Sequence, residues 1–164
     1  MIQIYVGDGK GKTTASVGLS VRAAGHGFKV LFMQFLKDDS SGEVSVLRSI
    51  PGIEAIHCPV NYGFTFQMTE DQKKETSKEY SKMLDKALKS EAFLIVLDEA
   101  IHALNAELLD REQLKRLLDK NCEIILTGRD APEWLINRAD YVSNIQKVKH
   151  PYDKGVQARE GIEF

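Results

Sequence analysis

The chain has 164 residues, of which 43% are hydrophobic, enough for one compact domain (1–164) around a buried core. Its 22 basic residues nearly cancel its 24 acidic ones, which excludes binding a nucleic-acid backbone or an anionic membrane by bulk charge alone. Cys58 and Cys122 lie far apart without metal-ligand spacing and are expected to be reduced and structural, as in a cytoplasmic protein.

In chain order, residues 2–6 read as a short strand that ends at a glycine cluster, with no room for a charged stretch, an apolar stretch and a cleavage site. A helix follows, with Val17, Val21 and Ala24 at helical spacing and Gly25-His26-Gly27 as its stop. Residues 29–35 predict a second strand. The stretch 36–52 is polar, with a short helix at 43–49, and 53–58 predicts another strand. Residues 59–67 form a loop that carries Tyr62, Phe64 and Phe66, a heavy aromatic load for a connection. Thr69 and Gln72 have capping-box spacing, and Tyr80, Met83, Leu84, Ala87 and Leu88 mark one stripe of the charged helix behind them.

The run 93–97 is continuously apolar, as a parallel strand covered on both faces must be, and it closes on Asp98-Glu99. The longest apolar run, 92–97, is far short of the roughly 20 residues that span a membrane. Helical pieces are expected at 100–108 and 111–119, the second capped by Asp110 with Gln113 at box distance. A strand at 123–127, a helix from the cap Asp130 to Arg138, and a last strand at 141–148 complete the pattern. Alternating strands and helices predict an α/β fold, a P-loop NTPase of RecA-like kind with a mostly parallel sheet and helices on both faces.

Gly7-Asp8-Gly9-Lys10-Gly11-Lys12-Thr13-Thr14 stands between a strand and a helix, the setting that gives a phosphate loop its meaning. Glycines let backbone amides cup phosphate oxygens, and the helix N-terminus adds partial positive charge. Lys12 is expected to bridge phosphates, with Lys10 as a second cation and the Thr13 hydroxyl offered to magnesium. The loop is compressed, since Gly7 and Gly11 enclose three residues where the usual pattern has four. A glycine-rich turn that links strand to helix is the plainer alternative. Asp98-Glu99 lies at a carboxyl strand end, where open α/β sheets bind ligands, and a carboxylate there can hold magnesium. Arg129, just past another strand end, could reach phosphate or could pair with Asp130 or Asp140. His26, His57, His102 and His150 show no metal-site or triad spacing.

Three features together resemble the P-loop corrinoid adenosyltransferases over nearly the whole chain. They are the compressed loop, the Gly63-Phe64-Thr65-Phe66 segment, and the tail from Val148-Lys149-His150-Pro151-Tyr152 to Gln157-Ala158-Arg159-Glu160-Gly161-Ile162-Glu163-Phe164. Thr127-Gly128-Arg129 agrees with the same pattern. The resemblance implies that ATP lies reversed in the loop and that its 5'-deoxyadenosyl group passes to the cobalt of a reduced corrinoid, cob(I)alamin or cob(I)yrinic acid a,c-diamide, releasing triphosphate. It implies ATP contacts from residues 7–14 and Arg129, with magnesium on Thr13 and Glu99. Phe64 and Phe66 match the aromatics that displace the lower axial ligand of the corrinoid. The second aromatic is commonly tryptophan in the family, and from composition alone both rings could equally pack into a core. It further implies an electron-donating reductase, a flavoprotein, as partner, and members commonly form homodimers. Longer members carry a segment ahead of the first strand, so a more open corrinoid pocket is expected here. Two other readings of a P-loop chain are a small nucleoside or nucleotide kinase, which commonly has an arginine-rich lid not seen here, and a regulatory ATPase.

Overall fold

The computed structural model describes residues 1–37, 41–63 and 65–162. Six strands form one sheet: β1 (Ile2–Val6), β2 (Val30–Gln34), β3 (Ile53–His57), β4 (Leu94–Asp98), β5 (Glu123–Thr127) and β6 (Tyr141–Asn144). They run in the order β3-β2-β4-β5-β1-β6, and every pairing is parallel. The expectation of a mostly parallel sheet is thus met in its strictest form. Parallel neighbours need crossover connections, and the helices α1 (Lys12–Gly25), α2 (Gly42–Ser49), α3 (Glu70–Lys89), α4 (Ala100–Asn105), α5 (Arg111–Leu118) and α6 (Glu133–Ile136) lie in them.

The sheet is covered on both faces from β3 to β1, whose strands alternate between two cores, while the edge strand β6 is exposed at all four residues. Ile2, Ile4, Leu31, Met33, Ile95, Leu97, Ile124 and Leu126 pack with apolar residues of α3 to α6. Val30, Phe32, Leu94, Val96 and Ile125 pack on the other side with Ala23 and Val17 of α1 and with Val44 and Leu47 of α2. This period of two is the pleat of the strand, and it makes β2 and β4 apolar at every position up to their polar last residue. No helix among the described residues is long and apolar enough to cross a membrane.

Helix starts follow the expected chemistry in two cases and depart from it in a third. Thr69 and Gln72 form a reciprocal capping box on α3, and Asp110 accepts from the Gln113 N–H at 2.6 Å on α5. Asp130 is not the cap of α6. It has φ 52°, a left-handed turn conformation, and Pro132 takes the capping position of a helix that ends at Ile136 rather than Arg138. The last strand also stops early, at Asn144 rather than Val148, because the next backbone groups bond to the glycine loop. The helix expected at 100–108 likewise ends at Asn105.

The order of strands brings the sequence motifs to one edge. Gln34 of β2 is in register with Asp98 of β4, and Thr127 ends the neighbouring β5 beside β1, which feeds the glycine loop. One strand, β5, thus separates the loop strand from the acid strand, within a P-loop NTPase-like arrangement.

Candidate functional site

Two of the loop glycines are demanded by neighbouring chain as much as by any ligand. A Cβ on Gly9 would come within 2.7 Å of the Ile145 and Gln146 carbonyl oxygens, and one on Gly7 would collide with Ile145 and Asn144. The loop is hung from the end of β6: Gly9 N–H donates to Ile145 O at 2.8 Å, and Asp8 Oδ1 accepts from Lys147 N–H at 2.9 Å. That bond is the main cause holding the exposed Asp8 carboxyl below its usual range. Gly11, with φ 121° and open space around its missing Cβ, is required by its backbone instead.

Lys12 opens α1 yet is only 8% exposed, because its side chain folds back over the loop. Its ammonium donates to Gly7 O at 2.7 Å and to Gly9 O at 2.8 Å. Burial is the strongest influence on it and pulls it below the ordinary lysine value, partly opposed by Glu99.

Asp98 is fully buried, and four hydrogen bonds occupy its two oxygens. Oδ1 accepts from Thr13 Oγ1 at 2.9 Å and Thr127 Oγ1 at 2.7 Å. Oδ2 accepts from Gln34 Nε2 and from Lys37 Nζ, both at 3.2 Å. A carboxylate has about four lone-pair sites, so Asp98 is saturated and serves to aim its donors. Thr127 Oγ1 in turn accepts the Glu99 N–H at 2.8 Å. Gln34 also donates to Glu43 Oε1 at 3.0 Å, and its buried Oε1 has no hydrogen-bond partner among the described residues.

Glu99 has φ 60°, left-handed for a non-glycine residue, and this turn between β4 and α4 carries its side chain to the cavity wall and against His102 Nδ1. Burial pushes the Glu99 carboxyl up, but the hydrogen bond and charge of His102, with Lys37 and Lys12, outweigh it and hold the group below its usual range. Lys37 shows the opposite balance: burial works against its charge, and attraction to Asp98, Glu43 and Glu99 raises it above the ordinary lysine value.

The resulting cavity is lined by residues 8–14, Lys37, Glu43, Glu99 and Arg129, with His150, Gly161 and Ile162 contributed by the tail. Gly7 stands behind it, supplying a carbonyl to Lys12. Arg129 therefore lies beside the loop, while Asp140 is taken up by the Ile2 N–H at 2.6 Å. Phe66, on a 3₁₀ turn (Thr65–Gln67), is 80% exposed and belongs to neither core; it does not line this cavity. Phe64 lies outside the described residues. Sequence reasoning missed Gln34, Lys37 and His102, and named Thr127 and His150 only within family-like segments, without a role in the site. For Gln34 the signal was a polar residue inside the apolar run Val30 to Phe35.

The profile of the ATP:corrinoid adenosyltransferase family BtuR/CobO/CobP matches residues 1–164. A corrinoid adenosyltransferase of Pseudomonas aeruginosa is 32% identical over 173 residues, covering 100% of this chain and 83% of that protein. One of Escherichia coli K12 is 32% identical over 171 residues (100% and 85%), and one of a Sinorhizobium species is 30% identical over 172 residues (100% and 80%). With a nucleotide-type loop, an acidic strand end and full-length similarity in agreement, the chain belongs to the ATP:corrinoid adenosyltransferase family of enzymes.

Proposed function

We propose that the protein transfers the 5'-deoxyadenosyl group of ATP to the cobalt of a reduced corrinoid. The lone pair of Co(I) attacks C5' of the ribose, a cobalt–carbon bond forms, and the C5'–O bond breaks with its electrons to the triphosphate oxygen. No proton moves at the reacting carbon, so no side chain is required as general base. The protein's task is orientation and neutralisation of the leaving group. The observation that carries this reading is the concentration of Lys10, Lys12, Lys37 and Arg129 around one loop-lined cavity in a chain of this family.

In this reading the amides of residues 8–14 and the Lys12 ammonium face the departing triphosphate, with Lys10 and Arg129 assisting. Magnesium fits the residues present. The Thr13 hydroxyl spends its single proton on Asp98, which turns its lone pairs outward, and the Glu99 carboxylate stands nearby on the cavity wall. Hard oxygen donors of this kind suit magnesium, which would supply charge neutralisation along the phosphates. Thr13 and Glu99 would hold it, Asp98 would aim Thr13, and His102 would aim Glu99.

Phe66 offers a nearly uncovered ring beside Phe64 in sequence, which supports contact with the corrinoid and displacement of its lower axial ligand. Removing that ligand eases reduction of cobalt by a partner reductase in the cytoplasm. Phe66→Ala should lower the rate from cob(II)alamin about tenfold or more, a barrier change of roughly 1.4 kcal/mol or more. Chemically pre-reduced cob(I)alamin should restore most of it, and failure to do so would remove the displacement role.

The decisive assay mixes protein, MgATP and cob(I)alamin. Formation of the light-sensitive cobalt–carbon bond, with intact triphosphate in the phosphorus NMR spectrum, is expected. Release of ADP without cobalt alkylation would instead point to a kinase or a regulatory ATPase.

A further inference from the structure

Lys37 is placed with more care than a surface lysine needs. The residue before it, Leu36, has φ 55°, and its N–H is held at 2.8 Å by the hydroxyl of Tyr80, a fully buried residue of α3. That turn sends the Lys37 side chain from the end of β2 into the loop cavity. There its ammonium donates to Asp98 Oδ2 at 3.2 Å and to Thr13 Oγ1 at 3.3 Å, and it lies 3.8 Å from Glu43 Oε1.

The contact with Thr13 is the informative one. A hydroxyl has one proton and two lone pairs, and here the proton is committed to Asp98. The lone-pair side, which a divalent cation would need, accepts from Lys37. A monovalent side-chain cation thus stands against the oxygen assigned to magnesium, in a corner that also holds the carboxylates of Glu43, Asp98 and Glu99.

We propose that Lys37 is a built-in counter-ion that keeps free divalent metal off Thr13 and yields its place when the metal arrives together with a nucleotide. The proposal rests on the reading of this cavity as a magnesium–nucleotide site and adds the order in which its charges exchange. A metal alone must displace the ammonium with nothing to receive it. A triphosphate brings its own negative charge, to which the flexible lysine can turn. The residue acts by position and touches no reacting atom.

The test is manganese binding, followed by electron paramagnetic resonance of the free ion, with and without ATP. Without nucleotide, Lys37→Met should bind manganese about tenfold or more tightly than the unaltered chain, because a like charge roughly 4 Å from the metal position is gone. Lys37→Arg keeps the charge and should stay close to the unaltered chain. With ATP present, the three proteins should converge. Equal manganese affinity of Lys37→Met and the unaltered chain without nucleotide would overturn the proposal. Should Lys37→Met fail to fold, carbon NMR of the reductively methylated unaltered chain gives a second readout. The Lys37 resonance should shift when magnesium and ATP are added together, and no shift would also overturn the proposal. Calorimetry of MgATP with the unaltered chain tests the underlying site separately, since absence of binding there would sink the nucleotide reading itself.

Discussion

Lys12→Ala is expected to lower kcat/KM for corrinoid adenosylation by a factor on the order of 10² to 10³, the scale seen when one preorganised donor to a developing anion is removed. The loss should be the same from cob(II)alamin and from pre-reduced cob(I)alamin, because the lysine is assigned to the leaving triphosphate and not to cobalt. The geometry explains why no neighbour can substitute. All three cations line the cavity, but only the Lys12 ammonium sits within the curve of the loop, on the Gly7 and Gly9 carbonyl oxygens. Initial rates on the two corrinoid oxidation states check this. A deficit that disappears with cob(I)alamin would move Lys12 from the leaving group to the reduction step.

Asp98→Ala should cause the largest loss of stability of any single change at the site, about 3 to 5 kcal/mol, the usual cost of stripping one partner from a buried charge pair. It would leave the Lys37 ammonium, both threonine hydroxyls and the Gln34 amide without their shared acceptor. For a chain of this size that corresponds to a fall in Tm of roughly 6 to 20 °C. Asp98→Asn should not rescue it fully. An amide has one oxygen for four donors, so its NH2 must face two of them. Thermal unfolding followed by circular dichroism measures both variants, and a Tm for Asp98→Ala within about 2 °C of the unaltered chain would refute the network as a stabilising element.

Most of the scaffold is legible in the sequence because its signals are local. The strands 2–6 and 93–97 are short apolar runs bounded by glycine or acid, and β1 and β4 match them to within a residue. The capping box at Thr69 and the side-chain cap at Asp110 are spelled out by spacing alone, although the Gln113 side chain turns to Ser81 and Asp85 instead of closing a box on Asp110. The errors come where distant chain takes over. Residues 145–147 follow on from the strand in sequence, yet the Ile145 carbonyl and the Lys147 N–H bond to Gly9 and Asp8, more than 130 positions earlier. Asp130 has the side chain of a cap, but its left-handed φ leaves that place to Pro132.

The site divides in the same way. Loop and acid pair announce themselves because each is contiguous. Lys37, Gln34 and Thr127 do not, because they meet Asp98 from the ends of two other strands, β2 and β5, and share no spacing. The register of β2 with β4 and the order of β4, β5 and β1 bring them together, and neither can be read from one residue string. Phe66 is a different case, since periodicity and composition suited a packed ring as well as an uncovered one, and the structure leaves it uncovered.

The suspension of the glycine loop from the far end of β6 has a consequence for biosynthesis. β1 leaves the ribosome well ahead of its flanking partners β5 and β6, which are made more than a hundred residues later. A nascent polypeptide therefore cannot hang its glycine loop in the folded position until residue 147 has been translated, a long-range closure that local contacts cannot replace.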